Sequence, residues 1–303
     1  MRLSGSLIVP CALALAVPLT SAGCMVHVDK DDYVVREEKR FEVKGRPELR
    51  LATFDGSIEV RTWDRPEVRV EIEKRGGNKE MAESIRVEVD QQGDRVRIEA
   101  RGPDTDDWVF GLAGVAHISR SARLVATVPH ECHLAIVSGD GGLQVERVAG
   151  RMELRTGDGS VRGLDLDGDV TVNTGDGSIK LEGLSGRLDA RTGDGSVAAQ
   201  GRLDAVRLSS DDGSITLRAA PGSRMTDDWD VRSGDGGVVV YLPDGFGATI
   251  DAETEDGSIR PDADFALEAA SDKGASRLRG NLAGGGRVLR IRTSDGTIGL
   301  RRY

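Results

Sequence analysis

The chain has 303 residues, with 41 lysines and arginines against 51 aspartates and glutamates, so its formal net charge at pH 7 is −10. This balance argues against a nucleic-acid partner, and the length fits one or two domains. Aromatic residues make up only 4% of the chain and there are 40 glycines, which favours a thin core of small aliphatic side chains.

The first 23 residues have the pattern of a secretory signal. Arg2 precedes an apolar run, Leu7 to Leu19, that is too short to span a bilayer in a mature protein. The run ends in Ser-Ala-Gly-Cys24, which resembles a bacterial lipoprotein signal, where a peptidase cuts before the cysteine and the cysteine carries lipid. We predict a signal peptide over 1–23, lipidation at Cys24 and a linker over 24–44. The alternative is an ordinary secretory signal.

The predicted anchor sets the compartment and the charge of the mature chain. The lipoprotein resemblance implies an extracytoplasmic protein, and Met25 at the position after the cysteine implies outer-membrane or cell-surface placement. Removal of the signal deletes Arg2 and no acidic residue, so the mature net charge is −11. Cys11 lies in the signal and Cys24 would be lipidated, which leaves Cys132 without a partner for an internal disulfide.

Residues 45–135 read as an irregular β region. Apolar residues alternate with polar ones along 49–51, 58–60 and 68–72, and 85–99 has the pattern of a hairpin around a Gln-Gly-Asp turn. A Gly-rich insertion over 100–119 interrupts the region.

The segment Pro-His-Glu-Cys-His near residue 130 raises the question of a metal site. Its spacing matches no common zinc pattern, and a strand would place Cys132 and His133 on opposite faces. We therefore interpret the segment as a strand edge with one buried cysteine, and we predict no metal, no cofactor and no catalytic set.

The stretch from Asp140 to Ile215 repeats every 18 residues, which is typical of stacked architectures. Two positions near the start of each block are aliphatic and two residues apart, and two positions near its end show the same alternation, so each block holds two strands and two turns. Equivalent positions of successive blocks form columns. The first aliphatic position of each block gives the column Leu143, Val161, Ile179, Val197 and Ile215, and the third gives the column Met152, Val170, Leu188 and Val206.

Stacking such blocks about 4.8 Å apart would bury both apolar faces. The predicted fold is all-β: a β-solenoid over 136–303 with two parallel sheets and 18-residue rungs, right-handed because parallel crossovers almost always are. After Asp212 the period lengthens, which predicts corner insertions at 221–234 and 261–286, and the strands at 288–291 and 297–300 should close the coil.

Each block begins with an Asp-Gly pair, for which we predict a structural turn. The aspartate would accept turn amides and the glycine would supply a positive φ. A cation-binding role, calcium above all, is the alternative, although the repeat does not match the known calcium-loop patterns. The turn residues are Asp140, Gly141, Asp158, Gly159, Asp176, Gly177, Asp194, Gly195, Asp212 and Gly213.

One resemblance covers most of residues 45–300. The segment FDGSIEVRTWDRPEVRVEIEKR, the later LVATVP and the Asp-Gly-Ser repeats are similar to the putative-adhesin family of bacterial β-strand-repeat envelope proteins, a domain of unknown function. The resemblance implies a β-solenoid-like fold and an extracytoplasmic setting, and it brings no catalytic residues.

We therefore predict a non-enzymatic envelope lipoprotein that serves surface interaction, scaffolding or envelope sensing, with a protein or glycan ligand. Open sheet ends would also allow self-association. Two other classes remain: a calcium-stabilised binding module, and a carbohydrate-active enzyme using neighbouring acids such as Asp176 and Asp194. Trp108 and Trp229, each after two aspartates in an insertion, would either stack on sugars or anchor their loops.

Overall fold

The computed structural model describes residues 25–28, 33–102, 120–262, 265, 267–273 and 276–303. They confirm the all-β class, with 24 strands and one helix, α1 (Lys79–Glu83), which is too short to cross a membrane. The strands are β1 (Met25–Val28), β2 (Tyr33–Glu42), β3 (Glu48–Thr53), β4 (Ile58–Trp63), β5 (Glu67–Gly76), β6 (Arg86–Gln92), β7 (Arg95–Arg101), β8 (Arg120–Pro129), β9 (His133–Ser138), β10 (Leu143–Glu146), β11 (Ala149–Arg155), β12 (Val161–Leu164), β13 (Asp167–Asn173), β14 (Ile179–Thr192), β15 (Val197–Ser210), β16 (Ile215–Ala219), β17 (Trp229–Ser233), β18 (Val238–Leu242), β19 (Ala248–Thr254), β20 (Ile259–Pro261), β21 (Glu268–Lys273), β22 (Arg277–Leu282), β23 (Val288–Thr293) and β24 (Ile298–Arg302).

The strands form two parallel ladders. In the first ladder the order is β8, β4, β10, β12, the start of β14, the start of β15, β16, β18, β24 and β20. In the second it is β7, β3, β9, β11, β13, the end of β14, the end of β15, β17, β23 and β19. We call one strand of each ladder, with the corner between them, a layer.

The observed registers agree with the 18-residue columns. In the first ladder Leu143 pairs with Val161, Val161 with Ile179 and Ile179 with Val197, and all four side chains are buried. In the second ladder Met152, Val170 and Leu188 follow one another in the same way. The aliphatic columns therefore run through neighbouring layers and form one continuous hydrophobic core.

The layers at the two ends do not follow chain order. At one end β7 and β8 lie outside β3 and β4, although they come later in the chain. At the other end β23 and β24 insert between the layer of β17 and β18 and the layer of β19 and β20. The last strands were expected to close the coil, and that prediction is wrong because an earlier layer occupies the outermost place.

Antiparallel strands flank the ladders. On the first ladder β5, β2 and β1 continue beyond β8, so the expected linker over 24–44 instead contains two sheet strands. On the second ladder the predicted hairpin, β6 with β7, is confirmed at one end, and β22 with β21 lies at the other. The exposed β6 is rich in charged residues, and β20 ends at Pro261. Both features oppose edge-to-edge self-association.

The repeat changes at Asp204, where the structure has a bulge between β14 and β15. The carbonyl of Asp204 accepts hydrogen bonds from the amide of Thr226 at 2.9 Å and from the indole N–H of Trp229 at 3.2 Å. The predicted insertion over 221–234 is therefore shorter than expected, because residues 229–233 form β17, in which buried side chains alternate with one partly exposed and one exposed side chain.

Candidate functional site

A column of buried hydroxyls holds the Asp-Gly corners together. Thr174 Oγ1 lies 2.9 Å from the carbonyl oxygen of Gly157 and 3.1 Å from that of Gly159 in the preceding layer, and it accepts a hydrogen bond from the amide of Gly177 at 3.2 Å. The turn amide is therefore bound by a hydroxyl and not by the aspartate we expected. Equivalent buried residues are Thr53, Ser138, Thr156, Thr192, Ser210, Ser233, Thr254 and Thr293.

The second glycine of each corner permits a close approach between layers. A Cβ atom built on Gly177 would lie 2.0 Å from the carbonyl oxygen of Gly159, and one on Gly195 would lie 2.2 Å from that of Gly177. Neither glycine has a positive φ, so the expectation that these glycines supply a left-handed turn is wrong. Glycine is required here because a side chain would meet backbone of the neighbouring layer.

The aspartates that directly precede these corner glycines form a line on the surface. They lie three residues before paired positions of the first ladder, so successive carboxylates belong to successive layers about 4.8 Å apart. We call this line the acidic ridge; in spatial order it contains Asp55, Asp140, Asp158, Asp176, Asp194, Asp212, Asp235, Asp295 and Asp256. All nine are exposed, and the spatial order differs from chain order at its last two members.

The ridge carries uncompensated negative charge. Within the described part of the chain, no lysine or arginine forms an ion pair with any of its nine carboxylates, whereas several acids elsewhere are paired, as Asp169 is with Arg187 and Asp189 with Arg191. Adjacent carboxylates about 5 Å apart repel by roughly 0.8 kcal/mol in water. The hydroxyl and glycine contacts beneath the ridge stabilise this spacing against that repulsion.

The structure brings no metal-ligand constellation together among the described residues. No group of three histidine, cysteine or acidic side chains has metal-binding geometry there. Cys132 is buried, which raises the pKa of its thiol to about 12, and Nδ1 of His133 accepts the amide of Arg151 at 3.0 Å. Asp176 and Asp194 lie on adjacent layers, but each is one member of a uniform series.

The two tryptophans that the structure describes, Trp63 and Trp229, serve packing. Trp229 is fully buried, with its ring centroid 5.2 Å from that of Phe246, so it anchors its segment and cannot stack on a sugar. Trp63, in the segment that carried the family resemblance, lies under the guanidinium groups of Arg65 and Arg69, each 5.1 Å from the ring centroid. Trp108 lies outside the described residues.

Comparison with known proteins gives a family and a set of solved structures. The family described as Toastrack DUF4097 matches residues 47–301. A putative cell adhesion protein from Clostridium sporogenes is 13% identical, with 88% of this chain and 99% of that chain covered and a TM-score of 0.28. A putative lipid binding protein from Parabacteroides distasonis is 12% identical, with 88% and 96% covered and a TM-score of 0.41. A putative adhesin from Bacteroides fragilis is 12% identical, with 88% and 97% covered and a TM-score of 0.35. No curated protein matches the chain.

Proposed function

The chain belongs to the Toastrack DUF4097 family, and we propose that it is a lipid-anchored, non-enzymatic protein of the bacterial envelope whose acidic ridge binds a cationic surface partner. The observation that carries this proposal is the ridge itself: nine exposed carboxylates without ion-pair partners among the described residues. We further propose that the two ladders are the sides of a β-solenoid, right-handed as parallel crossovers almost always are.

A lipid on Cys24 would place the body of the protein directly at the membrane. The strand β1 begins at Met25, one residue after the predicted anchor, and it pairs along its length with β2. Several acyl chains on one residue give a firm anchor, since each buried CH₂ contributes about 0.8 kcal/mol. The flanking strands of the first ladder would then face the lipid, and the ridge would lead away from it.

Metabolic labelling with palmitate tests the anchor. We expect label in the wild-type chain and none in a Cys24→Ala variant, which should be released in soluble form from the membrane fraction. Label that persists in the variant would contradict the anchor at this residue.

The regular charge of the ridge is suited to an extended partner. Eight steps of about 4.8 Å give a length of about 38 Å, and a row of like charges attracts a complementary row at long range. Such attraction is screened beyond about 8 Å at physiological ionic strength, so binding should weaken steeply with salt. The partner class is a lysine- or arginine-rich protein segment or a glycan with amino groups. A non-enzymatic role agrees with the uniformity of the ridge, because the same exposed aspartate recurs in nine described layers.

Two triple variants with the same change in charge test the ridge. The first carries Asp158→Asn, Asp176→Asn and Asp194→Asn. The matched control carries Asp165→Asn, Asp167→Asn and Asp169→Asn, which all lie on the opposite corner of the layer that begins at Asp158.

The probe is a peptide of eight lysines, titrated calorimetrically at low and at physiological salt. A cation about 5 Å from each carboxylate gains roughly 0.8 kcal/mol before screening, so the ridge variant should bind about tenfold more weakly or worse. The control should stay within about twofold of wild type. Equal losses in both variants would mean that net charge alone acts, and the ridge would be rejected as a site.

A further inference from the structure

A cleft lies at the opposite corner from the ridge, where three neighbouring strands of the second ladder begin. Glu48 of β3 pairs in register with Arg95 of β7 on one side and with His133 of β9 on the other. These three side chains, with Arg46, Gln92 and Asp94, line a cleft of about 350 Å³. This volume lies at the lower end of the range for small-molecule sites, about 300–1,000 Å³.

Hydrogen bonds tie the walls of the cleft to neighbouring segments. The tip of the β6–β7 hairpin is tied to the segment before β3, because the amide of Lys44 donates to Asp94 Oδ1 at 2.8 Å and Gln91 Nε2 donates to the carbonyl of Glu42 at 3.0 Å. Across the cleft, Arg46 donates from Nε and Nη2 to Oε2 of Glu131, at 3.2 and 2.6 Å. The lining is therefore arranged before any ligand arrives, which lowers the entropic cost of binding.

Glu48 and His133, which also line the cleft, are constrained by hydrogen bonds as well. Glu48 accepts from Arg50 Nη2 at 2.9 Å and from Arg95 Nε at 2.9 Å, and the hydrogen bond from Arg50 contributes most to lowering the pKa of this carboxyl. His133 Nδ1 accepts a backbone amide, so the neutral imidazole carries its proton on Nε2. The histidine thus offers a donor whose orientation is set by the fold.

The charges that line the cleft cancel. Two arginines, Arg46 and Arg95, balance two carboxylates, Glu48 and Asp94, and His133 is neutral in the tautomer just described. The donors are the imidazole N–H and the guanidinium N–H groups that are not used in ion pairs. The acceptors are the second oxygen of Asp94 and the amide oxygen of Gln92. A ligand that satisfies this lining is uncharged and carries several groups that both donate and accept.

We propose that this cleft binds an uncharged sugar, with adjacent ring hydroxyls accepting from the arginines and His133 and donating to Asp94 and Gln92. The six lining residues are all polar, which disfavours an acyl chain or an apolar peptide side chain. The site is independent of the acidic ridge, since the two lie at opposite corners of the layers. Either one can be removed without the other.

Titration of the chain with Cys24→Ser, followed by ligand-observed NMR, tests the cleft. The probes are glucose, galactose, mannose, N-acetylglucosamine and, as the charged counterpart of glucose, glucuronate. For ligands of this size the dissociation constant should be of millimolar order. We expect at least one neutral sugar to bind and glucuronate to bind about tenfold more weakly than its uncharged counterparts.

Substitution then locates the site. Arg95 is well exposed, so Arg95→Ala should fold normally and should weaken sugar binding at least about tenfold by removing a charged donor. Gln92→Ala should weaken it less. Arg207→Ala, an exposed arginine on the same ladder but away from the cleft, is the matched control and should bind as wild type does.

Three outcomes would overturn the proposal: no neutral sugar binds, glucuronate binds as tightly as glucose, or Arg95→Ala leaves binding unchanged. The triple variant of the ridge should retain sugar binding in full. A variant that loses oligolysine binding but keeps sugar binding tests the ridge alone, and a variant that loses sugar binding but keeps oligolysine binding tests the cleft alone.

Discussion

Replacing Thr174 with valine is the most informative perturbation of the corner column. The two side chains have nearly the same shape, so the substitution removes the hydroxyl and leaves the volume of the corner unchanged. In the native chain this hydroxyl donates to carbonyl oxygens of the preceding layer, 2.9 Å from the nearer one, and accepts the amide of Gly177 at 3.2 Å. Only 8% of Thr174 is exposed, so little water can replace those bonds.

The expected cost follows from the groups left without partners. The buried amide of Gly177 loses its partner, which costs about 1–3 kcal/mol. The carbonyl of Gly157 loses one hydrogen bond, worth about 1 kcal/mol, and still accepts the amide of Gly175. The corner lies just below exposed aspartates, so partial hydration should bring the total to about 2–4 kcal/mol. The matched control is Thr174→Ser, which keeps the hydroxyl and loses one methyl, worth about 0.8 kcal/mol. Serine already occupies this column at Ser138, Ser210 and Ser233.

Urea denaturation followed by circular dichroism measures the difference. The free energy of unfolding of Thr174→Val should be about 1–3 kcal/mol below that of Thr174→Ser, with the slope against urea unchanged in both. If the valine variant were as stable as the serine variant, the hydroxyl column would not be what stabilises the corner.

Three further predictions concern the corner, the ion pairs and the cysteine. Gly177→Ala should destabilise the chain by about 3 kcal/mol or more, because its Cβ would meet backbone, whereas Gly142→Ala, with its nearest neighbour at 3.5 Å, should be nearly neutral in the same urea assay. Burial acts to raise the pKa of Glu37, but hydrogen bonds and attraction from Lys74 and Lys39 lower this pKa overall. The carboxylate of Glu37 therefore stabilises the fold above the pKa that it has in the unfolded chain, and this stabilisation is lost as pH falls through the folded pKa. The urea midpoint should therefore fall between about pH 5 and pH 3, and less steeply in Glu37→Gln. Cys132 should resist a thiol reagent at pH 8 in the folded chain and react on unfolding, because burial raises its pKa to about 12; rapid reaction in the folded state would show the thiol to be accessible.

The central layers could be predicted from the sequence because their period is local and regular. Positions such as Val161 and Ile179 are 18 residues apart, and they are neighbours in the first ladder. The hydroxyl column was also visible, since Thr156, Thr174 and Thr192 precede each Gly-Asp-Gly by the same spacing. The aspartates are the more conspicuous turn residues in the sequence, but a small hydroxyl is the better partner for a buried amide.

The arrangement of the end layers could not be predicted. Every corner carries nearly the same Asp-Gly sequence, so nothing local distinguishes the layer of Asp256 from that of Asp295. The order depends on long-range pairing, in which β23 takes the place beside β17 and excludes β19 from it. The cleft was missed for a similar reason, because Arg46, Gln92 and His133 lie far apart in the chain and meet only when the end layers fold back.

The spatial order of the acidic ridge underlies both the fold and the proposed function, and a pair of distances measures it. In a Cys24→Ser background, spin labels at Asp140→Cys with Asp256→Cys, and at Asp140→Cys with Asp295→Cys, can be compared by pulsed electron paramagnetic resonance. With one aspartate in each layer and the last two exchanged relative to chain order, the separations should be about 34 Å and about 29 Å, seven and six steps of about 4.8 Å. A longer distance to residue 295 than to residue 256, or distances that are not whole steps along one line, would contradict the account.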